Sequence, residues 1–553
     1  SRTMQTKTFL GYWTGGEIRP EPYAEIITEA LQDVRQPIHL IRCDDGIHVA
    51  LGGNVALSAA AAIPHDVDTA ESYPLVATVP PLPPESLGDP YFKSVLGLRY
   101  AYVVGAMANS ITSVDMVEAA ARAGMLGFFG AAGLNIANIE QAIEKLKQRL
   151  GDLPFGVNLI HSPADPDLEL ATVQLFLKHG ISLISASAFM DLTPALVYYR
   201  IKGICRNAEN SVTCPNRVVG KISREEVARK FFSPPPAKIV NWLLEKGLVS
   251  SLEAELSAQV PVADMLTAEA DSGGHTDNRP ALSLLPTIIA LRNQLSEKYA
   301  YSLPLCVGLG GGIATPEAAV AAFSMGAAYV LAGSIHQSCM EAGTSDTVRK
   351  LLAEAGQADV AMAPAADMFE MGVKVQVLKR GTMFPLRAAK LYDLYSRHAT
   401  FESISEKDRV ILERDYFRQP FEDEWRQTRS FFQQRDPSQI KKAESDPRHK
   451  MALVFRSYLG QSSNWANLGD PSRQMDYQIW CGPSIGAFNA WVKGTFLESP
   501  ENRKTDVIAM NLLLGAAILT RSHQLHLQGI ILPGAACQYR PKPLAEIEKI
   551  LDR

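Results

Sequence analysis

Residues 303–337 read LPLCVGLGGGIATPEAAVAAFSMGAAYVLAGSIHQ, and this stretch decides the fold. An apolar run of strand length, Leu303 to Gly310, ends in glycines; a helix opens at Thr315-Pro316; a second apolar run, Ala328 to Ser334, follows. Thr315 is placed to cap the helix with its hydroxyl, and Pro316 suits the first helical position, where its missing N–H costs nothing. Strands that read as continuous apolar runs are covered on both faces, and a helix between them makes the pair parallel.

The same rhythm runs back towards the N-terminus. AYVVGAM, GFFGAA, FGVNLI, ISLISAS, RVVGKI and ADMLTAEA begin at residues 101, 127, 155, 181, 217 and 263, which with 303 and 328 makes eight runs. Helix patterns lie between them. In NIEQAIEKLKQRL, Ile139, Ile143, Leu146 and Leu150 share one face, with Lys145, Lys147 and Arg149 off it. SREEVARKFF places Ser223 as an N-cap, and a helical pair from Ala237 to Gln259 is inserted between the fifth and sixth strands. Eight such units predict an α/β fold, a (β/α)₈ TIM barrel; an open doubly wound sheet satisfies the same local pattern, and the count favours closure.

The flanks differ from this core. Residues 1–95 are expected to form an N-terminal β-containing domain, with a hairpin in PIHLIRC-DDG-IHVAL turning at Asp45-Gly46 and an extended linker at VPPLPP, Val79 to Pro84. The barrel is assigned residues 96–360. Residues 361–500 are expected to be a mostly helical substrate or lid domain, where Phe455, Tyr458, Trp465, Tyr477, Trp480, Phe488 and Trp491 gather as core. Residues 501–553 supply helices that return to the barrel. Among them Val507–Thr520, broken by Asn511, is shorter than the roughly 20 residues of a membrane span and reads as a buried helix.

Composition narrows the function. Over 553 residues the hydrophobic share is 46%, the charged share 20% and the net charge −5, which suits a globular protein and argues against a nucleic-acid partner. The seven cysteines lack CxxC spacing, so no metal site is expected, and they read as reduced thiols. SRTMQTKTFL lacks the charged-then-apolar pattern of a signal peptide. The expectation is a cytoplasmic protein with no membrane partner.

Barrel active sites form at the carboxyl ends of the strands. There, Gly310, Gly311 and Gly312 after strand seven, with Gly333 and Ser334 after strand eight, let backbone N–H groups approach a phosphate, helped by the helix opening at Thr315. Tight turns alone would also use such glycines. Starting at Gly308, the GxGxxG spacing puts Ile313 where the third glycine belongs, so a mononucleotide is expected rather than a dinucleotide. Asn158 and Lys221 stand at the ends of strands three and five. Asn can donate and accept at the edge of a planar ring and Lys can face an electron-rich side of it; capping or salt bridging is the alternative for each. His275 follows Gly273-Gly274 after strand six, two glycines expected to open room for a planar ligand, and it is the catalytic candidate.

In this order GAMANSITS, VNL, GK, EADSGGH, GLGGGI and AGS resemble the nitronate monooxygenase superfamily of FMN barrels. APAADMFEMGVKVQVLKRGTMFPLRAAKLY and DYQIWCGPSIGAFNAW are similar to the PfaD family, enoyl reductases acting in trans on acyl carrier protein substrates of polyunsaturated fatty acid and polyketide synthases. The resemblance implies FMN contacts from Gly105, Ala106, Met107, Asn158, Lys221, Gly273, Gly274, Gly311, Gly312, Gly333 and Ser334, with His275 over the flavin and NADPH as reductant. It also implies carrier-protein partners and, by analogy, a homodimer. A basic run, Lys374, Lys379, Arg380, Arg387 and Lys390, is expected to dock the acidic carrier; an ordinary solvated face is the alternative. Two rival functions stay open: a nitronate monooxygenase, and a catalytically idle barrel serving synthase assembly.

Overall fold

The structure is a computed structural model, and it describes residues 9–57 and 72–553; most of the N-terminal stretch read for a leader lies outside the described residues. Eight parallel strands close into a barrel in simple sequential order. They are β1 (Tyr102–Val104), β2 (Leu126–Phe129), β3 (Gly156–Ile160), β4 (Leu183–Ser187), β5 (Arg217–Ile222), β6 (Met265–Glu269), β7 (Cys306–Gly310) and β8 (Val330–Ala332). Each coincides with one of the eight apolar runs. Val330, Leu331 and Ala332 of β8 pair in parallel with Tyr102, Val103 and Val104 of β1, which closes the ring and excludes the open sheet.

The barrel interior is packed. Val103, Leu126, Phe128, Leu183, Val219, Met265, Cys306 and Leu331 meet inside it, and the helix Pro90–Leu96 closes its floor. Phe92 of that helix stacks on Tyr329 with ring centroids 4.3 Å apart. With the amino end plugged, the carboxyl end is left as the mouth.

Helix chemistry follows the sequence with one exception. Thr315 caps its helix by accepting from the Ala318 N–H at 3.2 Å, with Pro316 at the first position. Ser223 does not cap. Its hydroxyl donates to the Asp277 carboxylate and accepts from no helix N–H, and Arg224 holds the N-cap position with no side-chain cap.

An antiparallel six-stranded sheet precedes the barrel, in the order Glu17–Pro22, Gly46–Leu51, Ile38–Cys43, Ser72–Val79, Gly11–Thr14, Asn54–Leu57. The hairpin read at Asp45-Gly46 is present, with Cys43 facing Gly46. The helix Thr505–Leu527 is long and apolar enough to cross a membrane, but 89% of its most apolar window is buried inside the protein. Its Arg521 is fully buried and donates to the backbone carbonyls of Leu31, Asp33 and Gln36, tying this helix to the end of the helix Tyr23–Gln32 and the turn after it. Burial lowers the Arg521 pKa to about 10, so the guanidinium stays charged.

Residues beyond the barrel begin with a hairpin, β9 (Val360–Pro364) and β10 (Lys374–Leu378), that no strand pattern announced. The helices up to Leu468 share a second core built from Phe369, Phe384, Leu391, Phe401, Phe455 and Tyr458, whereas Tyr477, Phe488 and Trp491, expected in that core, pack with the barrel cluster instead. The fold thus sets an appendage with its own core beside the barrel mouth.

Candidate active site at the barrel mouth

Side chains alternate in and out along each strand, so residues two beyond an interior position also point inward. Val219 and Met265 lie in the interior cluster, which puts Lys221 at the inner rim of β5 and Glu269 at that of β6. The two form an ion pair at 3.2 Å, and the Ser272 hydroxyl donates to Glu269 at 3.1 Å. Asn158 is buried at the middle of β3 rather than at its end, and accepts from the Ser187 hydroxyl at 3.0 Å. Lys221 therefore reaches the inner rim near the end of its strand, and its ammonium already has a carboxylate partner there.

The loop after β1 is stapled by Thr112, whose hydroxyl donates to the Gly105 carbonyl at 2.6 Å and accepts from the Met107 N–H at 2.8 Å. Gly105 continues the pairing with β8 through its N–H to the Ala332 carbonyl, 3.0 Å away. A fixed loop places Ala106 and Met107 half-buried at the rim.

The glycines after β7 and β8 do different jobs. A Cβ built on Gly312 or Gly333 would meet nothing within 4 Å, so both face open space. Gly312 has φ +83°, a left-handed conformation that L side chains rarely adopt. On Gly311 a Cβ would stand 2.6 Å from the Ala270 carbonyl, so this glycine allows close packing against the loop after β6. Ser334 is engaged, its Oγ accepting from the Gly482 N–H at 3.0 Å. Open glycine backbone on two adjacent loops, beside the N-terminus of the helix Pro316–Ser324, fits an anionic mononucleotide.

Gly273 and Gly274 depart from the sequence reading. Their side-chain faces are filled, since a Cβ on Gly273 would lie 2.7 Å from Cys481 Cα and one on Gly274 2.4 Å from the Trp480 ring. The Gly274 N–H donates to the Gln376 carbonyl at 3.0 Å, and the Gln376 side chain donates to Asp271 and to the Ser272 carbonyl. These glycines admit the appendage rather than leave a space for a ring.

His275 is held by the same contacts. Its Nε2 lies 3.1 Å from Asp367 Oδ1 and 3.0 Å from Oδ2, and its ring meets the Trp480 ring edge-on at 5.5 Å. Burial opposes protonation of the imidazole. The hydrogen bond and charge of Asp367, together with the charge of Glu269, outweigh it, so the pKa is raised above the ordinary histidine value. Both partners keep a face to solvent, which screens the pair.

Asp367, Glu269 and Gln376 were not found by reading the sequence, and Trp480 was read only as part of an aromatic core. Glu269 was within reach, because it lies at the carboxyl end of the run ADMLTAEA, where barrel sites form. Nothing local marks Asp367, 92 residues from its histidine.

The basic run is not a single face. Arg387 pairs with the fully buried Asp476, Lys390 with Asp408 at 3.5 Å and Arg380 with Asp359 at 3.9 Å. Lys374 and Lys379 are the two left exposed and outside ion pairs among the described residues.

Residues 93–400 match the nitronate monooxygenase family, and the chain belongs to it. Residues 398–477 match the inserted helical domain of [acyl-carrier-protein] S-malonyltransferase. A polyunsaturated fatty acid synthase polypeptide of Thraustochytrium is 47% identical over 79% of this chain and 30% of its own length. The polyketide biosynthesis protein PksE of Bacillus subtilis is 46% identical over 79% of this chain and 56% of its own length. This chain thus spans less than two thirds of the curated relatives it matches. Among solved structures, the enoyl reductase domain of MlnA from the macrolactin cluster of Bacillus amyloliquefaciens is 39% identical with TM-score 0.77, covering 80% of this chain and 100% of that one.

Proposed function

We propose that this chain is an FMN-dependent enoyl reductase that uses NADPH to reduce the α,β double bond of enoyl thioesters carried in trans by acyl carrier protein. The observation that carries the reading is the convergence at one mouth of open glycine backbone (Gly312, Gly333), an inward cation (Lys221) and a histidine biased towards protonation (His275). The likeness to the MlnA enoyl reductase domain and to synthase proteins supports the substrate class. The match of residues 398–477 supports a carrier-protein partner, and a homodimer is part of the proposal by analogy.

FMN, when bound, supplies the hydride transfer. The chain's own residues hold it and manage charge. Backbone at Gly311, Gly312, Gly333 and Ser334 would take the phosphate, with Gly105, Ala106, Met107, Asn158 and Lys221 along the ring edge. Gly273 and Gly274 contribute through the loop they let close. Overall the reaction is enoyl thioester plus NADPH plus a proton giving the saturated thioester and NADP⁺. Negative charge on the thioester oxygen and a proton for the α-carbon are the two needs a protonated imidazole meets.

Anaerobic NADPH consumption with crotonyl thioester is the test. Stoichiometric consumption that falls about 10²- to 10⁴-fold in His275→Ala supports the reading. Oxygen uptake with a nitronate, and none of the former activity, would assign the chain to nitronate oxidation.

A further inference from the structure

We infer that Asp367, brought from the loop between β9 and β10, is a positioning residue that fixes one ring orientation of His275 and makes its Nδ1 the nitrogen that exchanges a proton. The inference rests on the proposed reductase reading for its activity arm only.

A carboxylate can only accept, so the proton between His275 Nε2 and Asp367 stays on Nε2 in both charge states. The site that titrates is then Nδ1. During turnover the Nδ1–H bond breaks as the α-carbon–hydrogen bond forms, the ring becomes neutral, and solvent returns the proton. Trp480 meets the ring edge-on, and Gln376 holds the loop below by a two-way backbone pairing with Gly274. Asp367 sits next to Met368, whose φ of +52° marks a turn held against its own preference. That turn is secured by Arg456, whose Nε donates to the Ala366 carbonyl at 3.0 Å.

Charged groups surround the imidazole from both the barrel and the appendage. Asp367 is its direct partner; Glu269 faces it from the barrel rim and is itself paired with Lys221. Asp271 is bound by Gln376, and Asp277 by Arg224. Arg456 acts on Asp367 and also pairs with Glu370, while Lys374 is exposed at the start of β10. Among the described residues Asp367 is the one carboxylate in hydrogen-bond contact with the ring, so its charge dominates the ring's preference. Its side chain is 59% exposed, so an isosteric exchange to Asn removes charge without opening a cavity.

The decisive experiment titrates the histidine rings of full-length protein by NMR, with the His275 signal identified by its loss in His275→Ala. Asp367→Asn is expected to lower the His275 midpoint by about one pH unit, and Asp367→Glu to restore part of it. In the reductase assay, kcat at pH values above both midpoints should fall about tenfold in Asp367→Asn, because one unit is tenfold in imidazolium fraction. The alkaline limb should move to lower pH while KM changes less than kcat. A midpoint unmoved in Asp367→Asn, or equal effects of the Asn and Glu exchanges, overturns the inference. Should the wild-type protein show no enoyl reduction, the functional reading fails, and the NMR titration still decides whether Asp367 governs the ring.

Discussion

Gly274 and Trp480 meet so closely that a Cβ on the glycine would stand 2.4 Å from the indole Cε3. Gly274 also has φ +75°, so an alanine there is strained by its backbone and blocked by its neighbour. Gly274→Ala should cost about 2 kcal/mol and loosen the appendage from the barrel mouth. Urea unfolding would give the first, and faster proteolysis within residues 361–500 the second. Stability equal to wild type would mean that the indole moves aside freely.

Gly312→Ala makes the useful contrast. Gly312 shares the positive φ, at +83°, but nothing lies within 4 Å of its missing side chain. The protein should lose only about 1 kcal/mol from backbone strain. A Cβ in that opening would nevertheless stand where the cofactor phosphate is proposed to sit, so FMN affinity should fall at least about tenfold, equivalent to ~1.4 kcal/mol. Flavin fluorescence titration of the apoprotein would check it; unchanged affinity would remove Gly312 from the proposed cradle.

The contrast also shows what the sequence made legible. All eight barrel strands could be read because two-sided burial writes itself as uninterrupted apolar runs, and RVVGKI and ADMLTAEA start within two residues of β5 and β6. The place of Lys221 near the end of β5 could be read because position along a strand is a local property, whereas Asn158 sits at the middle of β3. The purpose of Gly273 and Gly274 could not, since a glycine required by Trp480, some two hundred residues later, looks the same as one that opens a cavity. Asp367 and β9 belong to the same class: short elements whose role exists only once the appendage has docked. Ser223 was misread for a related reason, as the carboxylate that its hydroxyl meets comes from another loop.

A buried histidine sets a pH dependence of stability. His336 is fully buried, with Nε2 2.5 Å from the Tyr102 hydroxyl, and burial lowers its pKa from 6.5 to about 3. Between these values the unfolded chain binds a proton that the native protein does not. The histidine's contribution is therefore full above pH 6.5 and is lost progressively as pH falls towards about 3. Within that window the slope reaches about 1.4 kcal/mol per pH unit. His336→Gln should lower stability at neutral pH by losing part of the packing, yet flatten the acid slope. Thermal melts of both proteins at several pH values below neutral would show it, and parallel slopes would argue that another group dominates.

Asp476 carries the strongest prediction for the appendage, because several donors converge on a carboxylate with no exposure. Arg387 and the Tyr458 hydroxyl donate to its Oδ1, and Arg473 donates to Oδ2 at 3.1 Å. Arg473 in turn lies 4.0 Å over the Trp465 ring and donates to the Tyr416 carbonyl. Removing the negative charge leaves buried guanidinium groups without their counter-ion, so Asp476→Asn should cost about 3–5 kcal/mol. Exposed pairs behave otherwise. Arg149 and Asp115 lie 2.7 Å apart in solvent, and Asp115→Asn should cost no more than about 1 kcal/mol. Hydrogen exchange would place the Asp476→Asn loss in the second core, around Phe455 and Tyr458, ahead of the barrel strands. If barrel and appendage amides lost protection together, the two cores would unfold as one unit, and the appendage would be as much a part of the barrel's stability as of its mouth.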